Sequence, residues 1–256
     1  MNKLFDLTGK TALVTGSSSG MGKAIALAMA SHGAQVIISS FDKQELENTR
    51  QQFENLGLKV YAHICDMSKT NQINELVETC FLRYSKIDIL VNGVGIAPSG
   101  GFLEINQNSF EKTLALNLQS AIHITNLIIP KMQAQKDGVI IYLASIAGVR
   151  GNKTLGLYGI SKAGLIQMAK NLAVEFGPEN IRVNTISPGI INTPFSNSLL
   201  ENVEFMKKRL LQTPLRRVGE VDEIAGVAVM LASKAGGFIT GQNIIVDGGT
   251  TISDGN

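Results

Sequence analysis

Residues 11–22 read TALVTGSSSGMG, a short apolar run followed by a loop with three glycines. The run 11–15 is typical of a strand that is buried on both faces of a sheet. Glycine permits a tight turn and a close approach of the backbone to a phosphate, which the N-terminus of a following helix also attracts. The stretch therefore predicts a nucleotide-binding loop, and a turn with only a structural role is the alternative. The candidate binding residues are Gly16, Ser18, Ser19, Gly20, Met21 and Gly22.

The same alternation of strand and helix continues along the chain. Helices are predicted from the glycine loop to about residue 32, over about 43–56, from a cap at Asp66 or Ser68 to about 84, and over about 109–135 and 158–176. Apolar strands that alternate with helices imply a parallel, doubly wound sheet with helices on both faces. We predict one α/β domain over residues 1–256 with a seven-stranded Rossmann fold. Its later strands are expected at 36–39, 59–64, 87–92, 139–143, 181–186 and 243–246.

The composition excludes several classes of partner. Lys and Arg number 23 against 21 Asp and Glu, so the net charge of +2 predicts no general attraction to nucleic acid or anionic membranes. No apolar run approaches the roughly 18 residues of a membrane span, and the N-terminus lacks the apolar core of a signal peptide. Two cysteines and three scattered histidines indicate neither a disulfide framework nor a metal site. We expect a cytoplasmic protein.

The choice of nucleotide depends on the end of the second strand. An acid that binds the ribose is expected about 20 residues after the glycines, and Asp42 is the acid in reach. It could equally cap the next helix. Because neither this stretch nor the glycine loop carries an arginine for a 2′-phosphate, the sequence favours NAD over NADP as cofactor.

The glycine loop also contains a competing motif. Gly16-Ser17-Ser18-Ser19-Gly20 fits GxSxG, in which Ser18 would be the nucleophile of a serine hydrolase. That motif follows several strands and an oxyanion loop in hydrolases, whereas here the first strand begins near residue 11. The position of the motif therefore argues against hydrolysis.

A tyrosine and a lysine stand four residues apart at the start of a predicted helix. Tyr158 and Lys162 share one face of that helix, so the ammonium can lie near the phenol and lower its pKa. A phenol with a lowered pKa can exchange a proton with an alcohol or a ketone near neutral pH. Ser145, at the end of the fifth strand, can hydrogen-bond the same substrate oxygen.

With these motifs the chain resembles the short-chain dehydrogenase/reductase family over about residues 5–250. The resemblance implies that Tyr158 is the general acid/base and that Ser145 steadies the substrate oxygen. Lys162 would lower the pKa of Tyr158 and hold the nicotinamide ribose, and Asn117 would hold a water that leads protons to Lys162. The cofactor contacts implied by the family are Tyr158, Lys162, Asp66, Met67, Asn92, Gly93, Pro188, Gly189, Ile191 and Thr193.

The sequence departs from the family pattern at two places. The family's Asn-Asn-Ala-Gly is here Asn92-Gly93-Val94-Gly95, which removes a side chain that normally braces the sheet. At the end of the second strand, Ser40 replaces the usual acid, and Phe41 stands where NADP-binding relatives often carry arginine.

The function predicted from the sequence is an oxidoreductase that interconverts a secondary alcohol and a ketone with NAD(P). A 3-oxoacyl thioester reductase that uses NADPH is the main alternative, since it shares these motifs. A nucleotide-binding protein without catalysis is a more remote one. The segment 190–213 is predicted either as a lid over an apolar small-molecule substrate or as a helix packed on the core or on another subunit. The resemblance implies a homotetramer or homodimer.

Overall fold

A parallel sheet of seven strands forms the centre of the molecule, which a computed structural model describes for residues 3–254. The strand order is β3-β2-β1-β4-β5-β6-β7, as expected of a doubly wound sheet. The predicted strand positions are confirmed with shifts of at most two residues at their ends. The strands are β1 Thr11–Thr15, β2 Gln35–Ser40, β3 Val60–Ile64, β4 Ile89–Asn92, β5 Gly138–Leu143, β6 Ile181–Pro188 and β7 Asn243–Val246.

Helices cover both faces of this sheet. One apolar core lies between the sheet and α1, α2 and α9, and the other lies between the sheet and α3, α5 and α6. Both faces of the central strands are thus removed from water, which explains their unbroken apolar runs. The helices are α1 Gly20–Ser31, α2 Lys43–Asn55, α3 Thr70–Tyr84, α4 Gln107–Leu114, α5 Ser120–Gln135, α6 Gly156–Phe176, α7 Asn197–Leu200, α8 Val203–Leu211 and α9 Val221–Ala232.

Two helix predictions need correction. The helix predicted over 109–135 is divided, because a π-helical turn at Ala115–Gln119 separates α4 from α5. The helix predicted from a cap at Asp66 or Ser68 begins later, at Thr70, with Lys69 in the capping position. Asp66 instead accepts a hydrogen bond from the backbone N–H of Ser68, in the turn before the helix.

The strand order indicates where along the sheet a ligand is expected to bind. The chain leaves β3 at one edge and returns to β4 on the other side of β1, so the connections diverge above the carboxyl ends of β1 and β4. Open α/β sheets bind their ligands in the crevice at this point. Among the residues that the structure describes, no helix is sufficiently long and apolar to cross a lipid bilayer.

Candidate active site

A cavity of about 650 Å³ opens at the carboxyl edge of the sheet. Its wall includes residues that directly follow β1, β2 and β4, namely Gly16, Phe41 and Gly93. The cavity therefore lies in the crevice where the strand order predicts a ligand. The predicted residues that line it are Gly16, Ser18, Ser19, Gly20, Met21, Gly22, Asp66, Met67, Gly93, Tyr158, Lys162 and Thr193.

The glycine loop forms a cradle that side chains would fill. Gly16 and Gly20 adopt φ of +65° and +53°, a left-handed conformation that favours glycine. A Cβ on Gly22 would lie 2.1 Å from the carbonyl oxygen of Gly16, so α1 packs directly against the turn. The side chain of Ser19 makes no capping hydrogen bond to α1, which leaves the first N–H groups to an anion. This cradle fits the pyrophosphate of a dinucleotide.

Tyr158 and Lys162 lie on the first turns of α6 and reach the cavity wall. The ammonium nitrogen of Lys162 lies 5.6 Å from the centre of the Tyr158 ring and donates a 2.8 Å hydrogen bond to the carbonyl oxygen of Leu143. Both side chains are more than 90% buried, with 8% and 4% of their surface exposed. Burial of a titratable pair against an open cavity is typical of catalytic groups.

Burial dominates the pKa of both groups. It raises the pKa of the Tyr158 phenol, and a hydrogen bond with Ser145 acts in the opposite direction. It lowers the pKa of the Lys162 ammonium from 10.5 to about 8. Burial and the contact with Ser145 are the causes that act on the phenol here, so the expectation that Lys162 lowers the pKa of Tyr158 stays a prediction.

Two glycines bring the turn after β5 against α6. A Cβ on Gly148 would lie 2.7 Å from the backbone nitrogen of Ala163, and a Cβ on Gly159 would lie 2.6 Å from the carbonyl oxygen of Ala147. Larger residues would push the turn and the helix apart. This close packing holds the turn that begins at Ser145 against the N-terminal part of α6, which carries Tyr158.

Asn117 lies in the π-helical turn and links it to the loop after β4. Its Oδ1 accepts from the backbone N–H of Ile96 at 2.8 Å, and its Nδ2 donates to the Ile96 carbonyl at 2.9 Å and to Ser161 Oγ at 3.0 Å. A Cβ on Gly95 would lie 3.1 Å from Lys162 Nζ and 3.3 Å from Asn117 Oδ1. Asn117 and Lys162 therefore both lie directly beside Gly95.

Several predicted cofactor contacts lie off the cavity wall. The side chain of Asp42 is exposed and accepts a hydrogen bond from the N–H of Glu45, so it caps α2, which was the other interpretation of this residue. Asn92 is buried in β4, with Oδ1 3.4 Å from Thr15 Oγ1 and with Nδ2 lacking a protein partner. The other three predicted cofactor contacts that do not line the cavity lie at and after the end of β6, and they are Pro188, Gly189 and Ile191.

The structure also brings residues to the cavity that the sequence pattern did not indicate. Glu45 reaches it from the first turn of α2, and its carboxylate accepts a 2.6 Å hydrogen bond from Ser18 Oγ. The sequence signal that could have indicated Glu45 is its position three residues after the cap at Asp42, about one helical turn further along α2. Phe195 also lines the cavity and lies opposite Tyr158, with ring centres 6.5 Å apart, but it belongs to the segment 190–213 that the sequence already indicated as a possible lid. The further lining residues that the sequence did not indicate include Cys65, Ile96, Lys112 and Leu116. The cavity is also lined by Ser40 and Phe41, from the strand end already considered for cofactor choice, and by Pro194, from the segment 190–213.

The partners of Ser18 do not form a hydrolase site. A serine nucleophile needs a base, usually histidine, that accepts its proton. The hydroxyl of Ser18 instead contacts Glu45 and lies 2.9 Å from Ser40 Oγ, on the nucleotide-binding loop.

The buried ammonium of Lys162 makes the free energy of unfolding depend on pH. Because its pKa is about 8 when folded and 10.5 when unfolded, the unfolded chain binds more protons in this window, and stability rises with pH. We expect the unfolding free energy of the wild type, minus that of Lys162→Met, to rise by about 3 kcal/mol from about pH 7.5 to about pH 10.5. Denaturant titrations of both proteins measure this difference, in which the other titrating groups cancel. A difference that is independent of pH would contradict the lowered pKa of Lys162.

Comparison with known proteins yields matches over nearly the whole chain. The family model described as enoyl-(acyl carrier protein) reductase matches residues 16–251. A tropinone reductase homologue of Arabidopsis thaliana is 39% identical over 254 residues, which cover 99% of this chain and 83% of that protein. The 3-oxoacyl-[acyl-carrier-protein] reductase of Thermotoga maritima is 36% identical over 246 residues, which cover 96% of this chain and 99% of that protein.

A solved structure with the same architecture extends this agreement. A 7α-hydroxysteroid dehydrogenase in complex with NADH and 7-oxo glycochenodeoxycholic acid superposes with a TM-score of 0.93 at 32% identity, covering 97% of both chains. The matches in sequence and fold agree with the glycine cradle and with the buried tyrosine and lysine on one cavity wall. The chain belongs to the short-chain dehydrogenase/reductase family of NAD(P)-dependent oxidoreductases.

Proposed function

We propose that this enzyme interconverts a secondary alcohol and a ketone, with Tyr158 moving the proton. The observation that carries the proposal is the position of Tyr158 and Lys162, both buried and both on the wall of the cavity that the glycine loop closes. When bound, a nicotinamide dinucleotide accepts or supplies the hydride. The protein orients the reacting carbon and controls the proton on its oxygen.

Each polar group has a distinct part in this proton transfer. Because its pKa is raised, the phenol of Tyr158 is protonated at neutral pH and is ready to donate to the oxygen of a ketone. In the oxidative direction it must first lose that proton, so alcohol oxidation should become faster as the pH rises. In this proposal Ser145 hydrogen-bonds the same oxygen, and Lys162 and Asn117, which both lie beside Gly95, return the proton to Tyr158.

The substrate is proposed to carry an apolar portion next to the reacting carbon. The cavity lining includes Ile96, Pro194 and Phe195. The Phe195 ring lies 6.5 Å from the ring of Tyr158, and Phe195 is 55% exposed. Phe195 belongs to the segment 190–213, which continues into α7 and α8 and has two buried apolar side chains, Ile191 and Met206. We propose that this segment is a lid on the otherwise single domain, closing over the substrate.

Reduction of a 3-oxoacyl thioester is the second candidate. It is favoured by the similarity to the Thermotoga maritima enzyme over almost its entire length. This reaction would use the same Tyr158 and would differ in the cofactor, NADPH, and in the carrier of the acyl group.

Titration with both reduced cofactors, followed by turnover assays, tests these proposals. We expect tighter binding of NADH than of NADPH, measured by nicotinamide fluorescence, and NAD-dependent oxidation within a panel of apolar secondary alcohols. The 3-oxoacyl thioester candidate is supported instead if NADPH binds more tightly and acetoacetyl thioesters are reduced. Absence of binding of either cofactor would contradict both candidates.

The assembly and compartment are also proposals. We propose a homotetramer or homodimer, since large apolar side chains such as Leu103, Val174 and Phe238 are more than 80% exposed. Light scattering at micromolar concentration tests this, and a monomer would contradict it. The two cysteines, Cys65 and Cys80, are free and buried, which suits the reducing cytoplasm that we propose as its location.

A further inference from the structure

We propose that Glu45 selects NAD over NADP by placing a carboxylate at the end of the cavity that borders β2. The proposal rests on the proposed function, because it assumes that a dinucleotide occupies this cavity. It assigns the selection to a residue one turn into α2. The position at the strand end, where an acid is expected, holds Ser40 and the 77% exposed Phe41 instead.

The carboxylate of Glu45 is joined to the glycine loop and to the strand end through two hydroxyl groups. Its Oε2 accepts from Ser18 Oγ at 2.6 Å, and Ser18 Oγ lies 2.9 Å from Ser40 Oγ. A hydroxyl has one proton to donate, so Ser40 supplies the proton of the second contact. Ser18 and Ser40 are both 93% buried, and all three residues line the cavity.

The helix that carries Glu45 is held against the same loop by a second contact. Thr49, one turn later on α2, is buried and donates a 2.7 Å hydrogen bond to the carbonyl oxygen of Ser18. The backbone N–H of Glu45 is bonded to the capping carboxylate of Asp42 at 2.9 Å. The start of α2 is therefore anchored at both sides of Glu45, and the carboxylate cannot withdraw without breaking the bond to Ser18.

The charge of this group distinguishes the two cofactors. A carboxylate only accepts hydrogen bonds, so it can bind a ribose hydroxyl but repels a 2′-phosphate, which carries about two negative charges. The basic residue of the same turn, Lys43, is exposed and does not line the cavity. Two lysines line the cavity, Lys112 and Lys162, and they lie on α4 and α6, which pack against each other. The cavity end at Ser40 thus presents a negative charge.

The test compares Kd values for NADH and NADPH in the full-length wild type and in two variants. Glu45→Gln keeps the shape of the side chain and an oxygen that can accept from Ser18 but removes the charge. Glu47→Gln is the matched control, since Glu47 lies on the same helix and pairs with Arg50 outside the cavity. Nicotinamide fluorescence at low and high salt gives the Kd values.

We expect Glu45→Gln to lower the Kd for NADPH about tenfold or more, while the Kd for NADH changes less than about threefold. Glu47→Gln should change neither Kd. The gain for NADPH should shrink at high salt, where charge repulsion is screened. If Glu45→Gln binds NADH but has the wild-type ratio of Kd values, the role of Glu45 is overturned while the proposed function stands. If the wild type binds neither cofactor, the proposed function and this inference both fall.

Discussion

Replacing Tyr158 by phenylalanine is expected to lower kcat for alcohol oxidation and ketone reduction about a thousandfold while leaving the Kd for NADH within about twofold. The substitution removes one oxygen atom and leaves the ring, which packs 6.5 Å from Phe195 and is 92% buried. Without the phenol, the substrate oxygen has no partner that can both give and take a proton. Steady-state kinetics and a fluorescence titration measure the two quantities.

A control for this substitution is available on α3. Tyr84 lies at the end of α3, outside the cavity, and Tyr84→Phe should keep wild-type kcat and Kd. Turnover of Tyr158→Phe at the wild-type rate would refute the assignment of the general acid/base. A loss of NADH binding in Tyr158→Phe would instead mean that the side chain supports the cofactor cavity rather than the proton transfer.

Replacing Gly22 by alanine is expected to raise the Kd for NADH by about 10- to 100-fold and to lower the melting temperature. The new methyl group would lie 2.1 Å from the Gly16 carbonyl oxygen and 3.2 Å from the Ser17 Cα. Both neighbours are backbone atoms, so α1 or the turn must move to relieve the overlap. Either movement opens the cradle that surrounds the first N–H groups of the helix.

The matched control is Gly226→Ala in α9. Gly226 is also a helical glycine, but apart from its chain neighbours and the backbone of its own helix, a Cβ there meets no atom within 4 Å. Alanine favours a helix by up to about 1 kcal/mol over glycine, so this variant should be as stable as the wild type or more stable, with unchanged NADH binding. If Gly22→Ala also binds NADH with wild-type affinity, direct contact between α1 and the turn is not required for the nucleotide site.

Most of the fold was predictable because its signals are local. Apolar runs such as 11–15 and 139–143 specify strands that are buried on both faces, and the intervening helical patterns imply parallel connections. The interruption of the helix predicted over 109–135 was not predictable in this way. The residues 115–119 have ordinary helical composition, and the π-helical turn is where Asn117 contacts Ile96, which lies 21 residues away along the chain.

For the site, the sequence by itself determined which residues are the main candidates for chemistry. The spacing of Tyr158 and Lys162 on one helix and the glycines after β1 follow from helix and turn geometry alone. Only the tertiary structure decided the electrostatics of these groups. The raised pKa of Tyr158, the lowered pKa of Lys162 and the contact of Glu45 with Ser18 all depend on burial and on neighbours distant in sequence. Desolvation and hydrogen bonding act through space, so no local pattern can encode them.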